Sequence, residues 1–168
     1  MLLKYINSNR IIIIVIFLLV PLLYWIPSIV RNNVPLHDPD GEMLFGKMVI
    51  AFNQNFRVAA SILGMLLVTV NGYLLIQLNT VHIFIPYRTQ LPLYFYIILS
   101  VSVLQLHYLS PALVASSLML LMFYRLFKAY KVDGISMIFL DAGLLISTAS
   151  LFYFPAIFFF FFLVASLL

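Results

Sequence analysis

The chain has 168 residues, of which 65% are hydrophobic and only 8% are charged, whereas soluble proteins have roughly 45–50% apolar and about 25% charged residues. So few polar residues argue against a water-soluble domain, which must cover its surface with them. The absence of cysteine excludes disulfides and thiolate metal sites, and the net charge of +4 is spread too thinly to form a nucleic-acid-binding patch.

The apolar residues come in long blocks, which predict an all-α integral membrane protein with five to six transmembrane helices in one membrane domain, residues 1–168. A hydrocarbon core of about 30 Å needs about 20 helical residues. The last block is too short to cross, so we expect the chain to be an N-terminal portion of a longer protein; the alternative is a half-span buried in a partner. The predicted spans are residues 11–30, 58–78, 91–108, 111–127, 134–152 and, incomplete, 156–168.

Lys and Arg are distributed unevenly between the two sides that these spans define. The outer side holds only Arg31, Lys47 and Arg57, all in the loop 31–57. Because cytoplasmic loops carry the excess of cations, the pattern predicts a protein of the bacterial inner membrane with a cytoplasmic N-terminus and a periplasmic loop 31–57. The inner side then holds Lys4, Arg10, Arg88, Arg125, Lys128 and Lys131.

Acidic residues cluster at the start of the first outer loop, at Asp38, Asp40 and Glu42. One interpretation is a site that binds a divalent cation or supplies a general base. The alternative, which we favour, is that Asp38 caps a helix, Pro39 occupies its first position, and the other two acids lie at its positive end. These three are therefore only weak catalytic candidates, and we assign no catalytic residue, no metal site and no cofactor.

The loop continues with an apolar stripe at helical spacing, which predicts an interfacial amphipathic helix over residues 43–56. Lys47, Asn53, Gln54 and Asn55 lie mostly on the opposite side. The alternative is an outward extension of the second span that packs on a partner. The apolar stripe consists of Phe45, Met48, Val49, Phe52 and Phe56.

Asp141 lies about 10 Å inside the fifth predicted span, where a charge is costly. Thr148 falls on the same helix face, and Arg125 in the preceding span is a possible ion partner. The functional interpretations are a proton or ion site, or an electrostatic dock for another chain. The structural interpretation is a carboxylate that is bonded to Arg125 or to a nearby hydroxyl, or that snorkels to the inner membrane surface.

Small and amide side chains inside two of the spans are typical of contacts between membrane helices. They predict packing rather than a transport path. These residues are Asn71, Gly72 and Gln77 in the second span, and Gly143 and Ser147 in the fifth.

Residues 70–160 contain a series of short motifs in a fixed order, and with them the chain resembles an uncharacterised family of polytopic inner-membrane proteins from Bacteroidota. The resemblance implies a multi-pass protein nearly twice as long as this chain, and no known activity. The motifs are Leu75–Gln77, Arg88-Thr89-Gln90-Leu91-Pro92, Leu109-Ser110-Pro111-Ala112-Leu113, Tyr124-Arg125-Leu126-Phe127, Leu140-Asp141-Ala142-Gly143 and Ser150-Leu151-Phe152-Tyr153-Phe154-Pro155-Ala156.

Three functions are compatible with these features. The first is a non-enzymatic multi-pass subunit that contacts membrane lipids and docks with other membrane proteins of the cell envelope, for instance around protein export. The second is a membrane-embedded glycosyltransferase-like enzyme that uses a lipid-linked sugar, with Asp38 and Asp40 in its first outer loop; fold-level analogy supports it. The third, ion or solute transport, rests on Asp141 alone. We favour the first.

The predicted orientation is testable with reporter fusions. Fusions after Arg31 should be active in the periplasm, and fusions after Gln90 and Lys131 should be active in the cytoplasm, because the cation bias fixes the side of every loop. A cytoplasmic signal from the fusion after Arg31 would contradict the assigned topology, since each later span alternates from the first.

Overall fold

A computed structural model of the chain describes residues 23, 25, 26, 43–82, 91–102, 109–129 and 135–165. Throughout these residues the regular structure is helical, which confirms the predicted all-α class. Of the first predicted span only Leu23, Trp25 and Ile26 are described, each as helix. The other helices are α1 (Leu44–Asn55), α2 (Arg57–His82), α3 (Leu91–Ser102), α4 (Pro111–Ala129), α5 (Ile135–Phe152) and α6 (Phe159–Ala165), the last preceded by a 3₁₀ turn, Phe154–Phe158.

The helices differ in whether they could cross a bilayer unaided. Within the described part of the chain, α2 alone is long and apolar enough to do so, over Arg57–Thr80. Shorter apolar stretches occupy Pro111–Phe127, Ser136–Phe152 and Phe154–Ala165. The second, fourth and fifth predicted spans thus fall on helices, while residues 103–108 of the third lie outside the described residues.

Local sequence explains where α4 begins. The Ser110 hydroxyl accepts a hydrogen bond from the backbone N–H of Leu113 at 3.1 Å, which satisfies one of the unpaired donors at the helix start. Pro111 follows as the first helical residue, a position where its missing N–H is not needed. The pair therefore fixes the start of the central helix of the bundle.

The largest apolar cluster lies between α4 and α5, which make the most extensive helix pair among the described residues. Several of its members are small, so the two backbones approach closely. Arg125 lies near Asp141 at one end of the pair. The cluster consists of Ala115, Met119, Met122, Leu126, Ala142, Ile146, Ala149, Ala156 and Leu163.

Two further clusters show that α2 and α4 run in the same direction. Ala60 and Leu109 share one buried cluster, and Val68 and Leu113 share the next, so residue numbers increase together along both segments. The second cluster also contains Trp25, whose side chain is fully buried. Two helices that are separated in sequence by one antiparallel helix run in the same direction, as α2 and α4 do.

The junction between α1 and α2 is a local break at Phe56, whose backbone dihedrals of −131° and 59° are not helical. Backbone hydrogen bonds continue across it, from Phe56 N–H to the Phe52 carbonyl and from Ala60 N–H to the Phe56 carbonyl, both at 2.8 Å. The break therefore changes the course of the chain without leaving these backbone groups unpaired.

Asn53 corrects the prediction for α1. The sequence placed it on the polar side, but its side chain is only 2% exposed, and its amide Nδ2 donates a hydrogen bond to the Leu109 carbonyl at 2.7 Å. Asn53 lies four residues after Val49, so it shares the buried stripe of the helix. This hydrogen bond, from a buried amide on α1 to a carbonyl just before α4, holds α1 against the bundle.

The last apolar block also departs from the prediction that a helix starts at Ala156. Tyr153 has extended dihedrals of −143° and 107°, and the chain resumes one residue later as the 3₁₀ turn. Pro155 lies in the first positions of this turn, where it needs no N–H partner. The described helix α6 then covers Phe159–Ala165.

We expect Asn53→Ala to lower the free energy of unfolding by about 1–2 kcal/mol, because it leaves the Leu109 carbonyl without this donor in a buried setting. Asn55→Ala is the matched control, since Asn55 is exposed two residues away and should change stability by no more than about 0.5 kcal/mol. The measurement is unfolding of the detergent-solubilised protein by increasing SDS. Equal losses for both variants would contradict the assigned role of Asn53.

Candidate functional site

An ion pair joins α4 and α5 near one end of the bundle. A guanidinium nitrogen of Arg125 (Nη1) lies 3.9 Å from Oδ2 of Asp141, and the two side chains are 55% and 50% exposed. Arg125 is about 6 Å along the axis from the end of α4, and Asp141 is about 9 Å from the start of α5. At this distance the contact is ionic rather than a hydrogen bond, so the carboxylate keeps its capacity to accept one.

Thr148, predicted on the same face as Asp141, does not join the ion pair. Its hydroxyl donates to the backbone carbonyls of Leu144 and Leu145 at 2.9 and 3.0 Å. The structure therefore brings Arg125 and Asp141 together and leaves Thr148 engaged with its own helix.

Asp141 belongs to a face of α5 that carries large apolar side chains without cover. Met137 is 74% exposed and Leu144 is 58% exposed. A side-chain Cβ built at Gly143, at the edge of this face, would meet nothing within 4 Å. We call this surface the open face of α5; its residues are Met137, Leu140, Asp141, Leu144, Ser147, Thr148 and Leu151.

Some side chains of the apolar stripe predicted for the first loop are buried in the structure, and others are exposed. Val49 is buried and Phe52 packs on the same cluster, while the Phe45 ring lies 5.3 Å from that of Phe152 in α5. Met48 and Phe56 are instead 66% and 59% exposed. This helix thus packs one side against α4 and α5, and it offers only part of the predicted stripe to its surroundings.

The acidic candidates Asp38, Asp40 and Glu42 lie outside the described residues. The described helix that follows them, α1, has Met43 and not Asp38 as its N-cap residue, with no capping bond from a side chain. Elsewhere in the described part of the chain, no three His, Asp or Glu residues lie close enough to share a metal ion.

A second polar cluster connects α2, α3 and α4. The amide Nδ2 of fully buried Asn71 donates to the Ser116 hydroxyl at 3.0 Å, and that hydroxyl donates to the Leu113 carbonyl at 2.8 Å. The Tyr96 hydroxyl lies beside the side chains of Asn71 and Ser100. The amide oxygen of Asn71, Oδ1, has no hydrogen-bond partner among the described residues.

The Asn71–Ser116–Tyr96 cluster borders a cavity of about 400 Å³ between α2, α3, α4 and α6. Tyr96, Ser116 and Tyr153 are among its lining residues, and almost all of the surface that lines the cavity is apolar. Sequence reasoning marked Asn71 as a packing residue and missed Tyr96 and Ser116, because a single Tyr or Ser in an apolar run carries no signal of its own. One wall is a stripe of α4: Ala112, Ala115, Ser116, Met119, Leu120 and Phe123.

The chain matches no family model, no curated protein and no solved structure. The resemblance to the Bacteroidota family over residues 70–160 therefore stays a prediction that rests on the motifs alone.

We expect Ser116→Ala to destabilise the protein by about 1–2 kcal/mol, because the buried Asn71 amide loses its acceptor. Ser117→Ala is the matched control: its side chain is more buried than that of Ser116, but its hydroxyl bonds only the Leu113 carbonyl of its own helix. SDS-driven unfolding in mixed micelles measures both variants. If Ser117→Ala were as damaging as Ser116→Ala, the bond between α2 and α4 would not be the source of the loss.

Proposed function

We propose that this protein is a non-enzymatic, multi-pass subunit of a complex in the bacterial inner membrane, with the open face of α5 as the surface that docks a transmembrane helix of another envelope component. The main observation in support is that Asp141 is half exposed, paired with Arg125 and surrounded by exposed apolar side chains.

Multi-pass placement is supported by the lengths and surfaces of the helices. α4 and α5, with 19 and 18 residues, extend about 28 Å and 27 Å, near the roughly 30 Å of the hydrocarbon core. Large apolar side chains cover the outside of α2, α3 and α6, for example Leu66, Phe95 and Phe161. Contiguous apolar surface of this kind is costly in water and is favoured by lipid or a protein partner.

The ion pair favours a protein partner over lipid at the open face of α5. An unpaired acid inside the bilayer costs about 2.5–3.5 kcal/mol at the centre on insertion scales, and Arg125 lowers that cost for Asp141. The carboxylate keeps acceptor capacity and is half exposed on this face, where lipid chains offer no donor. A partner helix with a hydrogen-bond donor would satisfy it, and the space beside Gly143 lets a second backbone approach.

The alternatives receive less support from the described residues. Transport would need Asp141 to line a path through the bundle, but half of its side chain is exposed on the outside of α5. The glycosyltransferase-like alternative rests on Asp38 and Asp40, outside the described residues, and stays a prediction. The same holds for an association with protein export.

A photoreactive amino acid placed at Leu144 should cross-link a defined partner in native membranes, because Leu144 lies on the open face of α5. The same probe at Leu66, which is 52% exposed on α2, is the positional control and should label lipid. Asp141→Asn should remove most of the cross-link from Leu144 while the amount of inserted protein stays constant, since the amide cannot replace a charged acceptor.

Lys47→Gln is the charge control for Asp141→Asn, because Lys47 is exposed on α1 and away from the open face of α5. It should leave the cross-link unchanged. Equal protein cross-linking from Leu144 and Leu66, or a cross-link that survives Asp141→Asn at full yield, would contradict the docking proposal.

A further inference from the structure

Both members of the ion pair at the open face of α5 have unused hydrogen-bonding capacity. We propose that the helix that docks on this face carries one neutral amide side chain, Asn or Gln, which bridges the pair. The N–H of this amide donates to Asp141, and its carbonyl oxygen accepts from Arg125. The inference rests on the docking surface proposed above and adds the chemistry of its partner.

The distance between the two charged groups leaves both of them open to a third group. Hydrogen bonds between nitrogen and oxygen measure about 2.7–3.2 Å, whereas Nη1 of Arg125 and Oδ2 of Asp141 are 3.9 Å apart. Neither side chain has another polar partner among the described residues. The guanidinium only donates and the carboxylate only accepts, and both are about half exposed. Donors and acceptors are therefore available side by side at this surface.

The charge balance of the two helices favours a neutral group on the partner. Arg125 and Asp141 are the only charged residues among the described side chains of α4 and α5, and their charges cancel. Because a net charge inside the hydrocarbon is costly, a partner helix with a lone Lys or Glu would turn a neutral surface into a charged one. A neutral polar side chain keeps the balance and still supplies hydrogen bonds between the helices.

An amide matches the ion pair better than a hydroxyl does. Asn and Gln carry a carbonyl oxygen and an NH₂ group on the same carbon, so one side chain can accept from Arg125 and donate to Asp141 at once. A Ser or Thr hydroxyl has to serve both through a single oxygen. The hydroxyls of Ser147 and Thr148 on α5 instead donate to carbonyls of their own helix, whereas the Asn71 amide bonds across to another helix.

The surface around the ion pair has room for a partner helix. Leu121, one turn before Arg125 on α4, is 38% exposed, and Leu144, one turn after Asp141 on α5, is 58% exposed. Both lie on the side of the ion pair away from the loop between α4 and α5. Asp141 is about 9 Å from the start of α5, so we expect the partner's amide at a similar depth below the same membrane surface.

The test exchanges the two charges within the chain, by Arg125→Asp together with Asp141→Arg, and measures the cross-link from Leu144 in native membranes. The exchange keeps the ion pair and its neutrality but reverses the positions of donor and acceptor. Because an amide exchanges its oxygen and nitrogen by a half-turn of the side chain, the yield should stay within about threefold of the wild-type yield.

Each substitution alone is the matched control for the exchange. Asp141→Arg leaves two cations at this surface and Arg125→Asp leaves two acids, so each should lower the yield about tenfold or more. The amount of inserted chain is measured in every sample. Loss of the cross-link in an exchanged chain that inserts at the wild-type level overturns the proposal.

The partner's sequence gives a second measurement if the exchanged chain fails to insert. Mass spectrometry of the wild-type product should find Asn or Gln within about two turns of the cross-linked residue. Replacing that residue by Leu should lower the yield about three- to tenfold, the effect of one hydrogen bond. A partner helix with a lone charge or without an amide, or a product formed by two copies of this chain, overturns the proposal. Docking of another protein itself fails only if the wild type labels lipid alone, so the two failures are distinguishable.

Discussion

The bundle depends on a simple constraint: an amide buried among apolar helices must find a hydrogen-bond partner on another element. Asn53 meets it by bonding the Leu109 carbonyl, and Asn71 meets it at Ser116. The first bond fastens α1 to the start of α4, and the second fastens the middle of α2 to α4. Apolar packing alone tolerates sliding between helices, because one Leu or Val contact resembles the next. Two directional bonds of this kind fix the positions of α1 and α2 along the axis of α4.

α4 is consequently involved in each of the main polar contacts between the described helices. Its Ser110 end holds Asn53 through the neighbouring Leu109, its second turn holds Asn71 through Ser116, and its far end carries Arg125 opposite Asp141. One side packs against α5 and another lines the cavity. α4 thus contributes both to the ion pair at the open face of α5, through Arg125, and to the wall of the cavity.

Much of the helical layout could be predicted from apolar block lengths and from the Ser-Pro start of α4, because these are local properties of the chain. The Arg125–Asp141 contact could also be predicted, since an acid inside a predicted membrane span needs a partner and few cations lie near it in the sequence. The residue type of Asn53 favours the polar side of α1, whereas its position four residues after Val49 places it on the buried stripe, and position decides its burial. The Asn71–Ser116 bond links residues 45 apart, and helical periodicity does not tell which helices become neighbours.

The position of the ion pair has a consequence for biosynthesis. Arg125 and Asp141 lie on consecutive helices, with only residues 130–134 between the end of α4 and the start of α5. In the membrane placement proposed above, a hairpin of these two helices would leave the translocon with Arg125 already paired with Asp141, whereas α5 alone would carry an unpaired acid into the hydrocarbon. On this account the two helices partition into the lipid as one unit, and the order of synthesis itself supplies the counter-ion.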